Sequence, residues 1–431
     1  MEEMEWPEWY LGRGKVDEAV FARDYLSQRE LISVDGSFFD LNGRVHNENI
    51  LRREICDILK LYVRSGIARR VESILEYLRI VTSKEELAYH ADRIHVANGT
   101  FLLGYGFMPM KEICRYRLPV NYNPDAPKPK AWLAFLDDLL EEEDIWTLQQ
   151  YMGYCLIPTT RAQKMLLITG RGGEGKSRIG VVMKALFGCN MSIGSLAKVE
   201  TNQFARADLE HLLVLVDDDL KMEALNQTNY IKSIITSELP MDLERKGIQS
   251  YQGLVNARFM AFGNGTLQAL HDRSHGFFRR QIILSAKERR PDRVDDPYLA
   301  ERLKGEIEGI FNWCLEGLYC LGGNDYQFDI SEKTRENMRQ AVADGNNVVE
   351  FMQSEGYFRF EPGATATSKA LYSVYKDWCE DNSYTPLSAK SFLSHIKQNM
   401  SLYKLLHSNK IPIGNGKTAR GYIGIRLCPR F

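Results

Sequence analysis

Residues 170–177, GRGGEGKS, set four glycines, a lysine and a serine in the spacing G-x-x-x-x-G-K-[ST]. That spacing suits the phosphates of a nucleotide. Glycines let backbone N–H groups curl around phosphate oxygens without a Cβ in the way. Lys176 reaches the β- and γ-phosphates, and the Ser177 hydroxyl ligates Mg²⁺. The candidate nucleotide contacts are Gly170, Arg171, Gly172, Gly173, Glu174, Gly175, Lys176, Ser177 and Arg178. An apolar run before the segment and a helical stretch after it, stopping at Gly188, are the context such a loop requires.

Four more clusters follow. HLLVLVDDDL ends an apolar strand in Asp217, Asp218 and Asp219, with Asp218 placed 42 residues after Lys176. One carboxylate there holds Mg²⁺, with Asp218 and Ser177 as the expected metal pair. Another orients or deprotonates the attacking water. Spacing alone does not decide which two of the three act. RFMAFGNG ends a second apolar strand in Asn264, whose amide can donate to a γ-phosphate while accepting from that water; Asn-Gly is also a common turn pair. GFFRRQIILSA puts Arg279 and Arg280 before a third apolar strand, as a trans-acting finger or as a salt-bridged pair. MDLERKGIQSYQG reads as a β-hairpin with Arg245 and Lys246 at a basic tip.

The elements that must position these residues alternate. Apolar runs at 165–169, 212–216, 258–262 and 281–284 read as buried strands separated by helices, which implies an α/β layering around a mainly parallel sheet. Upstream, 48–80 reads as two amphipathic helices, 95–103 as extended, 121–130 as a stiff proline-rich connection, and 132–140 and 146–156 as helices. Downstream, 348–353, 369–380 and 388–399 read as three helices, with strands at 402–407 and 421–427 around a Gly-rich loop. Three helices and a hairpin suggest a winged helix, with Lys390, Ser394, His395 and Lys397 on its third helix and able to touch DNA phosphates. The expected domains are 1–157, mainly helical; 158–290, the nucleotide-binding core; 291–345, a helical lid or linker; and 346–431, the winged helix.

Composition fits a soluble multi-domain chain: 431 residues, 44% hydrophobic and 26% charged. Disordered, collagen-like and low-complexity classes are excluded. No apolar run approaches a membrane span, and the acidic N-terminus does not read as a signal peptide. The eight cysteines contain no C-x-x-C pair, so reduced thiols in the cytoplasm, that of a bacterial host cell, are expected. From residue 346 onward seven Lys and four Arg face two Asp and four Glu, a net of +5 that leaves −7 for the rest. A basic module on an acidic body points to an anionic partner.

Taken in order, these pieces resemble the superfamily 3 helicases, AAA+ ATPases with a C-terminal winged helix. They look most like the branch found in phage, plasmid and poxvirus primase–helicases. The resemblance runs from about residue 90 to the end, through HVANGTFLLG, VNYNPDAPKPKAW, LQQYMGYCLIP, LYSVYKDWCEDNSYTPLSAKSF and GYIGIRL. It implies Walker A roles for Lys176 and Ser177, Walker B roles among Asp217, Asp218 and Asp219, a sensor role for Asn264, a DNA-contacting role for Lys246 and a finger role for Arg280, with Arg279 second. Where this branch commonly carries Asn, this chain has Glu174, a carboxylate beside the phosphate mouth that can weaken nucleotide binding or alter its Mg²⁺ dependence. Nothing before residue 90 offers clustered acids for a polymerase-type metal site, so a primase is expected on a separate polypeptide.

The function implied is an ATP- and Mg²⁺-dependent helicase. A homo-hexameric ring on single-stranded or forked DNA would move 3′ to 5′, with ATP held between subunits. Three rivals stand beside it: a replication initiator or loader ATPase that does not unwind, a DNA-binding protein with a silent nucleotide loop, and a small-molecule kinase.

Overall fold

The computed structural model describes residues 6–220, 228–247, 249–264, 275–290, 296–345, 347–382, 384, 386–413 and 417–428. These fall into two compact units. The larger takes in most of the chain up to Thr334, and the smaller runs from Arg335 and includes 275–279.

The larger unit opens with a hairpin of β1 (Tyr10–Gly12) and β2 (Lys15–Val16), helix α1 (Glu18–Gln28), and a meander of β3 (Leu31–Val34), β4 (Ser37–Asp40) and β5 (Gly43–Arg44). Helices α2 (Asn49–Leu59) and α3 (Ile67–Val81) follow. Their buried residues, Leu51, Ile55 and Leu59 on one and Val71, Ile74, Leu75 and Leu78 on the other, recur every three or four positions. They close a small core with Trp9, Phe21 and Phe38. A second meander, β6 (Arg93–Val96), β7 (Gly99–Leu102) and β8 (Gly106–Met108), precedes α4 (Lys130–Leu139) and α5 (Glu142–Tyr154). Among the described residues, the stretch expected to be mainly helical thus carries eight short strands as well. At two to four residues each, most are too brief to leave a period in the sequence; β6 and β7 fall where 95–103 reads as extended.

The centre of this unit is a five-stranded sheet, β9 (Met165–Thr169), β10 (Met191–Ile193), β11 (Val214–Leu220), β14 (Arg258–Gly263) and β15 (Gln281–Ser285). Its order is β10-β11-β14-β9-β15, and every pairing is parallel. The parallel α/β expectation holds. The intervening elements are α6 (Ser177–Phe187), α7 (Leu196–Thr201), α8 (Gln203–Ala207), α9 (Asn229–Ile235), and a hairpin of β12 (Met241–Leu243) and β13 (Tyr251–Gly253). In the smaller unit, α10 (His275–Phe278) precedes β15 along the chain. Helices α11 (Leu299–Gly305) and α12 (Ile307–Gly323) complete the larger unit.

Two reciprocal glycines let α5 and α12 touch backbone to backbone. A Cβ on Gly153 would stand 2.4 Å from the Cys314 carbonyl, and one on Gly317 would stand 2.3 Å from that of Gln149. Carboxylates from distant segments cap helix starts. Glu306 accepts from the amides of Ala131 and Trp132, each at 3.0 Å, at the head of α4. Buried Glu200 on α7 accepts from Tyr230 at 3.2 Å and Ile231 at 3.0 Å, at the head of α9. Each bond satisfies amides that the helix itself leaves over. Among the described residues no helix is long and apolar enough to cross a membrane.

The smaller unit holds α13 (Glu332–Gly345) from Arg335 on, α14 (Asn347–Gln353), β16 (Phe358–Thr367), α15 (Ser368–Asp381), α16 (Ala389–Gln398), β17 (Leu406–Pro412) and β18 (Thr418–Leu427). Its antiparallel sheet has the order β16-β18-β17. Phe351, Tyr375, Trp378 and Phe392 are buried at the centre of its core. The three helices lie where the sequence placed them, but the sheet departs from the reading. β16 was not expected, because Pro362-Gly363 interrupts its alternation and the strand absorbs them as a register shift between Phe360 and Thr365, with Gly363 at φ +79°. The strand read at 402–407 begins only at Leu406; residues 401–404 turn, with Lys404 at φ +53°.

Candidate functional site

Strand β9 is buried from Met165 to Ile168 and hands the chain to a turn at the C-terminal edge of the sheet. The turn is made by glycines in the left-handed region, Gly172 at φ +106°, Gly173 at +83° and Gly175 at +102°, where a side chain would be strained. Helix α6 starts at once at Ser177, and no side chain caps it. Its leftover amides and the positive end of its dipole point at the loop. β14 and β15 end level with β9, since Thr169 pairs with both Gly263 and Ser285. From β9 the chain passes to the far strand β10, so β9 lies beside β14 and β15, neither of them its neighbour in sequence. Parallel sheets bind ligands where strand order breaks in this way.

A cavity of about 670 Å³ opens there, and Lys176, Ser177, Asp218, Asp219 and Asn264 line it. The Asn264 side chain faces the loop: a Cβ on Gly172 would lie 3.7 Å from its amide nitrogen. Residues as far apart in sequence as Lys176 and Asn264 are thus brought to one cavity. Arg178 lines the same cavity. Arg171 does not; it is exposed and paired with Glu288 at 2.8 Å.

The three aspartates separate. Strand β11 does not end at them but runs on to Leu220, with a register shift against β14 after Asp217. That irregularity re-aims the side chains. Asp218 and Asp219 are exposed and line the cavity. Asp217 is buried, and its Oδ2 accepts from the Leu196 amide at 2.8 Å, at the head of α7. Burial pushes its carboxyl above the usual range despite that bond.

Glu174 lies inside the loop rather than at its mouth. Its carboxylate accepts from the Gly172 amide at 2.8 Å, from the Arg171 amide, and from Lys176 Nζ at 2.7 Å. Burial would raise this carboxyl, but the bonds from Lys176 and the loop amides outweigh it and hold it below the ordinary carboxylate range.

The basic hairpin forms as expected, with Met241 opposite Gly253 and Leu243 opposite Tyr251. Lys246 is exposed in its turn. Arg245 is not a free tip residue, which corrects the reading. Its Nη2 donates to buried Glu210 at 2.7 Å and to His211 Nε2 at 2.8 Å, and the Tyr251 hydroxyl donates to the same carboxylate at 2.7 Å. A buried acid upstream of β11 draws the arginine down, and nothing in the hairpin's own sequence signals it.

Arg280 sits at the other edge of the sheet. It precedes β15, and its carbonyl accepts from the Met165 amide at 2.7 Å, where β9 begins. Its own chain does not bring it to the cavity. Arg279 is exposed and belongs to the smaller unit. Arg289, which the sequence reading passed over, does line the cavity, together with Asp296. Its Nη1 comes within 3.7 Å of where a Cβ on Gly173 would stand. No motif marks it, because only folding brings the chain after β15 across the loop.

In the smaller unit Lys390, Ser394 and Lys397 are exposed along one face of α16. His395, grouped with them in the sequence, is buried against the Tyr403 hydroxyl at 3.3 Å, which corrects that placement. Among the described residues no three His, Cys, Asp or Glu cluster closely enough to hold a metal alone. A hydroxyl and two carboxylates at a cavity mouth suit Mg²⁺, which takes few protein ligands and completes its shell with phosphate and water.

Residues 168–280 match a family of unknown function, DUF5906, and residues 343–420 match the poxvirus D5 protein-like family. The second match falls on the tail through which the sequence resembles the poxvirus branch. No curated protein matches the chain. Solved apo structures of the NrS-1 C-terminal region share the fold. One, of residues 305–718, has a TM-score of 0.56 at 13% identity and covers 95% of this chain and 99% of that one. Another has a TM-score of 0.54 at 12% identity and covers 95% and 100%. The mixed α/β fold, with its five-stranded parallel sheet, thus resembles that of the NrS-1 C-terminal region, and the tail is similar to the poxvirus D5 protein-like family.

Proposed function

We propose that this chain is an ATP-dependent DNA helicase of a phage or mobile-element replication system, built on a P-loop AAA+ core with a winged-helix tail. The observation that carries the reading is the convergence of Lys176, Ser177, Asp218, Asp219 and Asn264 on one cavity at the C-terminal edge of a parallel sheet. The D5-like match of the tail supports it.

In this mechanism the loop amides, the head of α6 and Lys176 hold the β- and γ-phosphates. The Ser177 hydroxyl and Asp218 would hold Mg²⁺, which when bound would neutralise charge on the transferring phosphate. Asp219 and Asn264 orient the attacking water. Arg280, on the far edge of its own sheet, serves the cavity of the next subunit in a ring of six. Lys246 carries one phosphate of single-stranded DNA, and hydrolysis moves it 3′ to 5′. Lys390 and Lys397 offer a second DNA contact. The ring works in the host cytoplasm, with a primase or other replication proteins as its partners.

ATP turnover with and without single-stranded DNA tests the reading, on wild type, Lys176→Ala and Lys246→Ala. Turnover should rise with DNA, vanish in Lys176→Ala and lose its DNA response in Lys246→Ala. A wild type as inert as Lys176→Ala would sink it. Turnover without displacement of a forked strand would leave an initiator or loader ATPase instead.

A further inference from the structure

A phosphate-binding loop needs donors that face inward, and here the donors are already engaged. The Glu174 carboxylate takes the Gly172 amide at 2.8 Å, the Arg171 amide and Lys176 Nζ at 2.7 Å. Its side chain is 4% exposed and that of Lys176 is 8% exposed. The pair is wedged over Gly170: a Cβ there would meet Lys176 Nζ at 2.7 Å and Glu174 Oε1 at 2.8 Å. These are the amides and the ammonium that a β- or γ-phosphate would use. A carboxylate and a phosphate cannot occupy them together.

We propose that Glu174 is the resident ligand of this loop, and that a nucleotide binds by exchange, its phosphate taking the donors as the carboxylate swings out. The proposal rests on the nucleotide reading given above and adds to it what sets affinity and which anions gain entry. The backbone permits the swing, because Gly173 and Gly175 flank Glu174 and both sit at positive φ. The cavity provides a destination, since Arg178 and Arg289 line it beside the loop. An internal competitor lowers apparent affinity by the fraction of time the loop is open, and it does so by one factor for every ligand that uses the loop. Weak single-phosphate anions are thereby kept out, while a nucleotide with contacts elsewhere in the cavity still enters. Plain repulsion between charges would behave differently, costing ATP more than the less charged ADP and pyrophosphate.

The test is titration calorimetry of the full chain with ATP, ADP and pyrophosphate. Wild type, Glu174→Ala, Glu174→Gln and the Lys176→Ala control are compared. Glu174→Ala should bind all three ligands about tenfold or more tightly than wild type, by a common factor. Glu174→Gln, which keeps the shape and drops the charge, should move the same way. In phosphate-free buffer Glu174→Ala should melt below wild type, and millimolar pyrophosphate should restore it. Equal or weaker binding by Glu174→Ala and Glu174→Gln, with wild type binding ATP normally, overturns the exchange and leaves the nucleotide reading intact. A gain that grows with ligand charge also overturns it, in favour of repulsion. If neither wild type nor Glu174→Ala binds ATP or pyrophosphate, the nucleotide reading fails and the exchange falls with it.

Discussion

Asp217 and Asp218 are neighbours of identical chemistry, and the register shift in β11 sends them to opposite tasks. Asp217 holds the head of α7 through the Leu196 amide. Asp217→Ala should therefore cost stability, about 1–2 kcal/mol by the usual worth of a helix cap. It should leave ATP affinity near wild type, read by thermal denaturation beside nucleotide titration. Asp218→Asn should do the reverse: little change in melting, and a fall in turnover on the order of a hundredfold or more. The hairpin basics divide likewise. Arg245→Ala strands the buried carboxylate of Glu210 and should cost about 2–3 kcal/mol. That is less than a fully buried pair, because the Arg245 side chain is 25% exposed and Tyr251 still serves the acid. Lys246→Ala should melt like wild type and lose only its response to DNA. A hairpin that melted equally in both variants would refute this division.

At the level of elements, close approach matters as much as apolar burial. Gly153→Ala or Gly317→Ala would drive a methyl into a facing backbone and should destabilise by about 1–3 kcal/mol or more, measured by denaturant unfolding. The strands and loops of the site were legible because each leaves a local mark. β9, β11, β14 and β15 are short apolar runs bounded by polar residues, and the glycine spacing fixes the turn between β9 and α6. What stayed hidden had no local mark. Arg289 reaches the cavity from a stretch without periodicity. Glu210 reaches Arg245 across thirty-five residues. β10 has three residues, and β16 carries a Pro-Gly pair. The role of Glu174 was half legible: the sequence showed an acid where one is unusual, but not that it turns inward onto the lysine.

Across the whole molecule, two buried histidines set the response to acid. Burial, and then the nearby Arg44, Arg245 and Arg115, push His211 down to about 2. Burial, and then Arg117, push His95 down to about 4. Both stay neutral in the fold, while the unfolded chain takes up protons below about pH 6.5. Their contribution is therefore fully present above that pH and is lost as pH falls, over 6.5 to 4 for His95 and further down for His211. Stability should drop by about 3 kcal/mol between pH 7 and pH 5. His211→Gln, whose side-chain oxygen can accept from Arg245 in place of Nε2, should flatten the curve. A pH-independent melting point would contradict this. For the proposed ring, six Lys246 side chains on one strand predict a salt slope of about −4 for single-stranded DNA binding, measured by titration across salt concentrations.

Asp217 and Glu200 also work in series. The first pins the head of α7 to the strand that carries the cavity acids, and the second, on α7 itself, pins the head of α9, whose chain leads into the hairpin that bears Lys246. In the proposed motor, a load on Lys246 would pass back to the acid strand through these two capped helix heads, so loosening either cap would uncouple the hairpin from the cavity.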